Sequence, residues 1–224
     1  MDLILPNSNN KELLEENELR LGVNSLIGTS FWESLQKELN NIAIDGKKFN
    51  DGAVGHRKDS KVDKKTRKSK VLFLEGKKYN YLNLELFNLI QEYNQYKSSW
   101  NYDILGNESM QYGIYSDGGH YDWHIDCYPS AISIPTKKTL SGNSTMMVNR
   151  KISVSIFLND PDEYEGGELD IEIEGPKAVP RYDTFKLSKG SIVVFPSNKW
   201  HRVRPVTSGV KKSLVSWIFG PPFR

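Results

Sequence analysis

The sequence predicts a mainly β protein with an α layer: a double-sheet β core, a β-sandwich or jelly roll, supported by N-terminal helices. Three observations carry that expectation. After Trp100, short runs rich in β-branched and aromatic residues alternate with Gly, Pro, Asn and Asp turns. Before it, apolar residues recur at helical spacing. With 224 residues, 38% of them hydrophobic, the chain is long enough for one generous core.

Two helices are expected in the first hundred residues. Ser30-Phe31-Trp32-Glu33 has capping-box spacing, and Phe31, Leu35, Leu39 and Ile42 follow at three- to four-residue intervals. Asn83 is a candidate cap for the second, whose Leu84, Phe87, Leu89, Ile90 and Tyr93 fall mostly on one face. Residues 70–74 read as a short strand between them. Further strands are expected over 110–115, 121–125, 151–158, 168–173, 191–195 and 213–219. The organisation this implies is a single domain over 1–224, with a helical support layer and basic loop over 1–103 and the β core over 104–220.

Composition narrows the function classes. No apolar stretch approaches the roughly 20 residues of a membrane helix, and Met1-Asp2-Leu3-Ile4-Leu5-Pro6 lacks the basic region and apolar core of a signal peptide. Cys127 is the only cysteine, which rules out an intrachain disulfide or a CxxC zinc site and points to a reducing, cytoplasmic compartment. Net charge is +2, too balanced to imply a polyanion partner. The charge is uneven, however: residues 46–70 hold ten Lys/Arg against three Asp. A solvated loop is the leading reading of that run, a nucleic-acid patch or a mobile lid the alternatives, and aromatic residues do not interleave with its charges.

Two H-x-D pairs stand four residues apart, His120-Tyr121-Asp122 and His124-Ile125-Asp126. A histidine and a carboxylate two apart on a strand share a face. With one more histidine from a distant strand they complete the two-His, one-carboxylate set that suits non-haem Fe(II) and leaves the opposite coordination positions open. His201, in Trp200-His201-Arg202-Val203 after the strand-like 190–196, can supply it. Lys211 follows ten residues later and offers a cation for the far carboxylate of a dicarboxylic acid.

These residues sit within a longer series: Tyr115-x-x-Gly118-x-x-Tyr121-x-x-His124-x-Asp126, Arg150-Lys151-Ile152-Ser153, Leu158-Asn159-Asp160, Tyr164-Glu165-Gly166-Gly167-Glu168-Leu169, Gly190-Ser191-x-x-x-Phe195-Pro196-Ser197, His201-x-Val203-x-Pro205, then Lys211 and Trp217. Over residues 104–220 the chain resembles the Fe(II)/2-oxoglutarate dioxygenases, in particular the prolyl 4-hydroxylase-like branch and its bacterial and phage PKHD-type hydroxylases, which implies that the β core is a double-stranded β-helix (jelly roll). The resemblance selects His124/Asp126 over His120/Asp122, because the family carries Tyr three residues before its metal histidine. His120 is then expected in the loop entering the strand, and His56 on the surface of the basic segment. The resemblance implies iron ligation by His124, Asp126 and His201 and a co-substrate anchor at Lys211, where many members have Arg, so that a point charge replaces a fork. Tyr115 and Ser213 are implied to line the 2-oxoglutarate pocket, while Lys212 falls on the opposite face.

The chemistry so implied is oxidative decarboxylation of 2-oxoglutarate by O2, giving succinate and CO2, coupled to hydroxylation of an unactivated C–H bond, with ascorbate (vitamin C) keeping the iron reduced. A prolyl or other peptidyl substrate leads. Nucleobase hydroxylation or demethylation is the alternative within the superfamily, and a non-catalytic metal- or ligand-binding jelly roll is the alternative outside it. Gly166-Gly167 is read as a tight turn or close strand approach, Trp217 and Phe157 as core walls, and Arg150 equally as a substrate contact or a strand start.

Overall fold

The computed structural model describes residues 22–55, 60–98, 100–139, 142–173, 177 and 179–223. His56 lies outside the described residues. In chain order the elements are β1 (Gly22–Ser25), α1 (Ser30–Ile44), β2 (Asn50–Asp51), β3 (Arg67–Lys68), β4 (Lys70–Phe73), a 3-10 turn (Lys77–Tyr79), α2 (Asn80–Tyr96), β5 (Gly106–Asn107), β6 (Gln111–Ser116), β7 (His120–His124) and β8 (Ile132–Thr139). There follow β9 (Gly142–Phe157), a 3-10 turn (Pro161–Glu163), β10 (Tyr164–Gly166), β11 (Leu169–Glu172), β12 (Tyr182–Phe185), β13 (Ser191–Pro196), β14 (His201–Val203) and β15 (Val206–Gly220).

Two antiparallel sheets make the jelly roll. The larger runs β1-β13-β9-β15-β6-β4-β2, with β5 and β10 also on β15 and β8 on β9. The smaller runs β12-β11-β14-β7-β3. Burial explains why 192–195 is an unbroken apolar run. Ile192 and Val194 pack toward α1 and α2, while Val193 and Phe195 join Phe157, Leu169 and Ile171 between the sheets. A strand covered on both faces has no polar side to show.

The helical layer forms as expected, with corrections at its edges. Thr29, not Ser30, caps α1: its Oγ1 accepts from Trp32 N at 3.1 Å while its backbone is extended, and Ser30 is already helical. Phe31, Trp32, Leu35 and Ile42 are buried, as their spacing demands. α2 begins at Asn80 by continuing the preceding 3-10 turn, so Asn83 lies inside the helix and caps nothing. Its buried line is Leu82, Leu86 and Ile90, and Leu84 is exposed, about 200° around the helix from Leu82.

The first hundred residues are also less purely helical than expected: β1, β2 and β4 join the larger sheet and β3 edges the smaller one. The basic segment is therefore not all solvated loop. Arg67, Ser69 and Val71 are buried and Lys68 and Lys70 exposed, the period-two alternation of a half-buried strand. Among the described residues, no helix is long and apolar enough to cross a membrane.

Candidate metal centre and substrate cleft

β7 and β14 are neighbours in the smaller sheet, and their register sets His201 opposite His124. It also sets Val203 opposite Tyr121, so β7 spends one more residue than β14 over the same span, a β-bulge. Strict alternation would send Tyr121 and His124 to opposite faces. The bulge brings them to the same one, where their rings stack with centroids 3.5 Å apart. Trp123 meanwhile packs outside the cleft against Tyr182 and Arg202.

The imidazoles are oriented by backbone. His124 Nδ1 lies 2.8 Å from the Asp122 carbonyl and His201 Nδ1 lies 3.0 Å from the Lys199 carbonyl. A carbonyl only accepts, so each Nδ1 carries the proton and each Nε2 offers its lone pair to the interior. There, His124 Nε2 stands 3.8 Å from Asp126 Oδ1 and His201 Nε2 3.3 Å from Asp126 Oδ2, and one donor atom from each of the three residues lies within 4.8 Å of the others. Two imidazole nitrogens and one carboxylate oxygen converging from one side fit a non-haem Fe(II) ion.

Protonation states suit the same role. Burial, aided by the neighbouring His201, depresses His124 to about 3, so it is a neutral imidazole at physiological pH. Burial works against the charge of Asp126, but His201 and then His124 outweigh it and hold the carboxyl well below its ordinary range. Its second oxygen is also occupied. Ser153 Oγ donates to Asp126 Oδ2 at 2.7 Å and lies 2.9 Å from Ser197 Oγ. A carboxylate accepts only, so the order is fixed: Ser197 donates to Ser153, and Ser153 to Asp126.

Lys211 lies opposite, on β15 of the larger sheet, paired with Tyr115 on β6. It is 2% exposed, with Nζ 4.7 Å from the centre of the Phe157 ring and 5.8 Å from that of Tyr164. This apolar burial lowers its pKa to about 7; Glu168 offsets the effect in part and Lys186 adds to it. Ser213 and Tyr115, both buried, line the same inner pocket of about 50 Å³ as His124, Asp126, His201 and Lys211. Gly167 makes room for the lysine stem: at φ +67°, a Cβ there would meet Val206 Cγ2 at 2.9 Å and Lys211 Cδ at 3.2 Å. The close approach expected of Gly166-Gly167 is thus observed.

The inner pocket adjoins a cleft of about 450 Å³, and Arg67, Gln111, Tyr121, Asp126 and Trp217 line both. Arg150 is a cleft residue as well as a mid-strand one. Its Nε and Nη2 each reach Glu108 at 2.6 Å, and its guanidinium lies 3.9 Å over Trp217, so Trp217 walls the cleft as well as the core. Burial opposes the Arg150 charge, but Glu108 holds its pKa above the ordinary arginine value.

His120 is not at the metal centre. It begins β7 instead of preceding it, and both ring nitrogens face backbone carbonyls, Gly118 O at 3.0 Å and Lys65 O at 2.9 Å. The sequence reading missed Arg67 as a cleft residue and left Ser153 and Ser197 without a role. For Arg67 the alternation of 67–71 marks a strand but not the cleft it faces; for the serines there was no signal, because their meeting with Asp126 is made by strands distant in sequence.

The chain is a jelly roll with a His-Asp-His cluster that could hold a metal ion among its described residues, and comparison with known proteins shows what it is similar to. Residues 110–219 match the 2OG-Fe(II) oxygenase superfamily. A PKHD-type hydroxylase of Teredinibacter turnerae is 40% identical over 110 residues, 48% of this chain and 41% of that one; one of Acidovorax ebreus is 39% identical over 108 residues, with the same coverage. The chain thus covers about two fifths of the length of these relatives. A Pseudomonas putida prolyl-4-hydroxylase superposes with a TM-score of 0.62 at 15% identity, covering 93% of this chain and 97% of that one. A Trichoplax adhaerens prolyl hydroxylase, solved with a hypoxia inducible factor peptide fragment, gives 0.64 at 19% identity, covering 93% and 86%. Residues 110–219 thus carry the sequence features of the 2OG-Fe(II) oxygenase superfamily and are similar there to PKHD-type hydroxylases, while the likeness to the prolyl hydroxylases is one of fold.

Proposed function

We propose that this protein is an Fe(II)- and 2-oxoglutarate-dependent dioxygenase that hydroxylates an unactivated C–H bond of a prolyl or other peptidyl residue, releasing succinate and CO2. The observation that carries the reading is the convergence of His124, Asp126 and His201 on one side of a pocket whose other side holds the buried cation Lys211. In this reading the two Nε2 atoms and one Asp126 oxygen hold the iron, and Lys211 pairs with the far carboxylate of 2-oxoglutarate. Bound iron supplies dioxygen activation and the oxidation of the C–H bond. The protein supplies the rest. Backbone carbonyls fix the imidazole tautomers, Ser153 engages the second carboxylate oxygen, and the apolar walls of Phe157, Phe195 and Leu169 keep water away. Ascorbate serves as the reductant that keeps the metal ferrous.

A peptide is favoured over a nucleobase because the basic segment spends much of its charge locally. Lys64 and Lys70 pair with Asp51, Lys68 pairs with Asp117, and Arg67 is buried. The test is succinate formation from 2-oxoglutarate with Fe(II) and ascorbate, comparing wild type with His124→Ala, and then a screen of proline peptides beside methylated oligonucleotides. Succinate from wild type alone supports the metal assignment. Equal turnover by His124→Ala refutes it, and oligonucleotide repair without peptide oxidation reverses the substrate ranking.

A further inference from the structure

Among the described residues, Arg67 is a buried cation without a counter-ion. It is 7% exposed, and all its partners are neutral: Nε donates to Ser69 Oγ at 2.8 Å, Nη1 to the Ala53 carbonyl at 3.1 Å and Nη2 to Gln111 Oε1 at 2.5 Å. Its guanidinium also lies 4.6 Å from the centre of the Tyr121 ring. Among the described residues no carboxylate forms an ion pair with it. Those bonds occupy three of the five N–H groups of an arginine, leaving two donors over. Buried charges are ordinarily paired, because desolvation is costly and neutral acceptors recover only part of it. The other cleft arginine obeys that rule, since Arg150 has Glu108.

The position of Arg67 says what the missing partner is. It lines both the outer cleft and the inner pocket beside Asp126, and Tyr121 lies between it and His124. With a divalent metal and a dicarboxylate co-substrate in place, their charges cancel, Lys211 balances Asp126, and Glu108 balances Arg150. The remaining cleft carboxylate, Asp51, is held by Lys64 and Lys70, so among the described residues Arg67 is left as one uncompensated positive charge in the wall of the cleft. From this we propose that Arg67 is an anion subsite for the prime substrate, receiving a carboxylate carried by a peptide next to the residue that is oxidised. The proposal rests on the peptidyl reading above and adds to it a specificity determinant. A peptide carboxylate is favoured over a nucleic-acid phosphate because one buried guanidinium suits a single planar anion, whereas three of the exposed lysines nearby that a phosphate chain would need, Lys64, Lys68 and Lys70, are held by Asp51 and Asp117.

The test uses two series of acetylated, amidated hexapeptides, each with one proline and with Glu or its isostere Gln at successive positions around it. Peptide oxidation is followed by mass, and KM is measured separately for peptide and 2-oxoglutarate. At one position or more the Glu peptide should show kcat/KM at least about tenfold above its Gln partner, with the preference shrinking as salt rises. Arg67→Gln should erase that preference through the peptide KM, and Arg67→Lys should keep part of it. If Arg67→Gln melts early, the wild-type Glu/Gln ratio and Arg67→Lys decide alone. Equal oxidation of both series by wild type overturns the proposal and leaves the peptidyl reading standing. So does a Glu preference that survives in Arg67→Gln, or a loss that falls on 2-oxoglutarate KM instead. Succinate formation with no peptide of either series oxidised, or with a methylated oligonucleotide oxidised in their place, overturns both.

Discussion

Raising the pH through neutrality should weaken 2-oxoglutarate binding, and substitution of Lys211 by arginine should abolish that dependence. Lys211 sits among aromatic rings at 2% exposure, and its pKa falls from 10.5 to about 7. That shift corresponds to about 5 kcal/mol against the charged ammonium in the empty pocket, at ~1.4 kcal/mol per unit. At pH 8 about nine in ten unliganded molecules would carry a neutral amine. A carboxylate gains its charge-assisted bonds only from the ammonium, so the apparent affinity should fall about tenfold per pH unit above 7, until the higher pKa of the complex is reached.

The stability effect of the same group has the opposite sign. Between about 7 and 10.5 the unfolded chain binds the proton that the native state has released, so the unliganded protein gains stability as pH rises through that window. The assay is 2-oxoglutarate binding to the anaerobic Fe(II) protein by calorimetry from about pH 6 to 9, with thermal melts of the unliganded protein alongside. Lys211→Arg, whose guanidinium keeps its charge, should bind with little pH dependence, and Lys211→Met weakly throughout. A wild-type affinity that stays flat from pH 7 to 9, or a slope retained in Lys211→Arg, would refute the reasoning.

Three further outcomes follow from the geometry. Ser153→Ala should weaken metal binding by about 10- to 100-fold by freeing the second Asp126 oxygen, whereas Ser153→Thr keeps the hydroxyl; titration with Co(II) or Mn(II) reads the difference without turnover. Gly167→Ala places a Cβ at a positive φ against Val206 and the Lys211 stem. It should cost roughly 1–2 kcal/mol in denaturant unfolding and raise 2-oxoglutarate KM. Thr29→Ala removes the α1 cap and should cost about 1 kcal/mol in urea unfolding while 2-oxoglutarate KM stays unchanged, because the Thr29 hydroxyl bonds Leu26 and Trp32 and does not line the inner pocket.

Much of the fold and of the metal centre was legible in the sequence, because the signals are local. Turn residues between short apolar runs mark jelly-roll strands, and the apolar spacing of Phe31, Leu35 and Ile42 marks the buried side of α1. Asp126 follows His124 at the two-residue spacing of shared strand faces, and the motif series around Tyr115, His201 and Lys211 named the residues that the fold gathers into one pocket. Helix edges were less legible, since Thr29 and Ser30 are both competent caps, and only the turn that binds Thr29 to Leu26 chooses between them.

What tertiary structure alone decided is what depends on two distant segments meeting. The bulge in β7 exists only in register with β14, and it turns Tyr121 and His124 to the same face. Ser153 reaches Asp126 because the larger sheet carries it across from the metal centre, and no spacing in the chain encodes that contact. Arg67 lies in a segment with ten basic residues, eight lysines and two arginines, and by composition nothing sets it apart. Pairing of β3 with Tyr121 and His120 puts Arg67 inside and Lys68 outside. The physical reason is common to all three: sequence pattern encodes which face of an element is apolar, whereas the partner of a buried polar group is set by how separate elements pack.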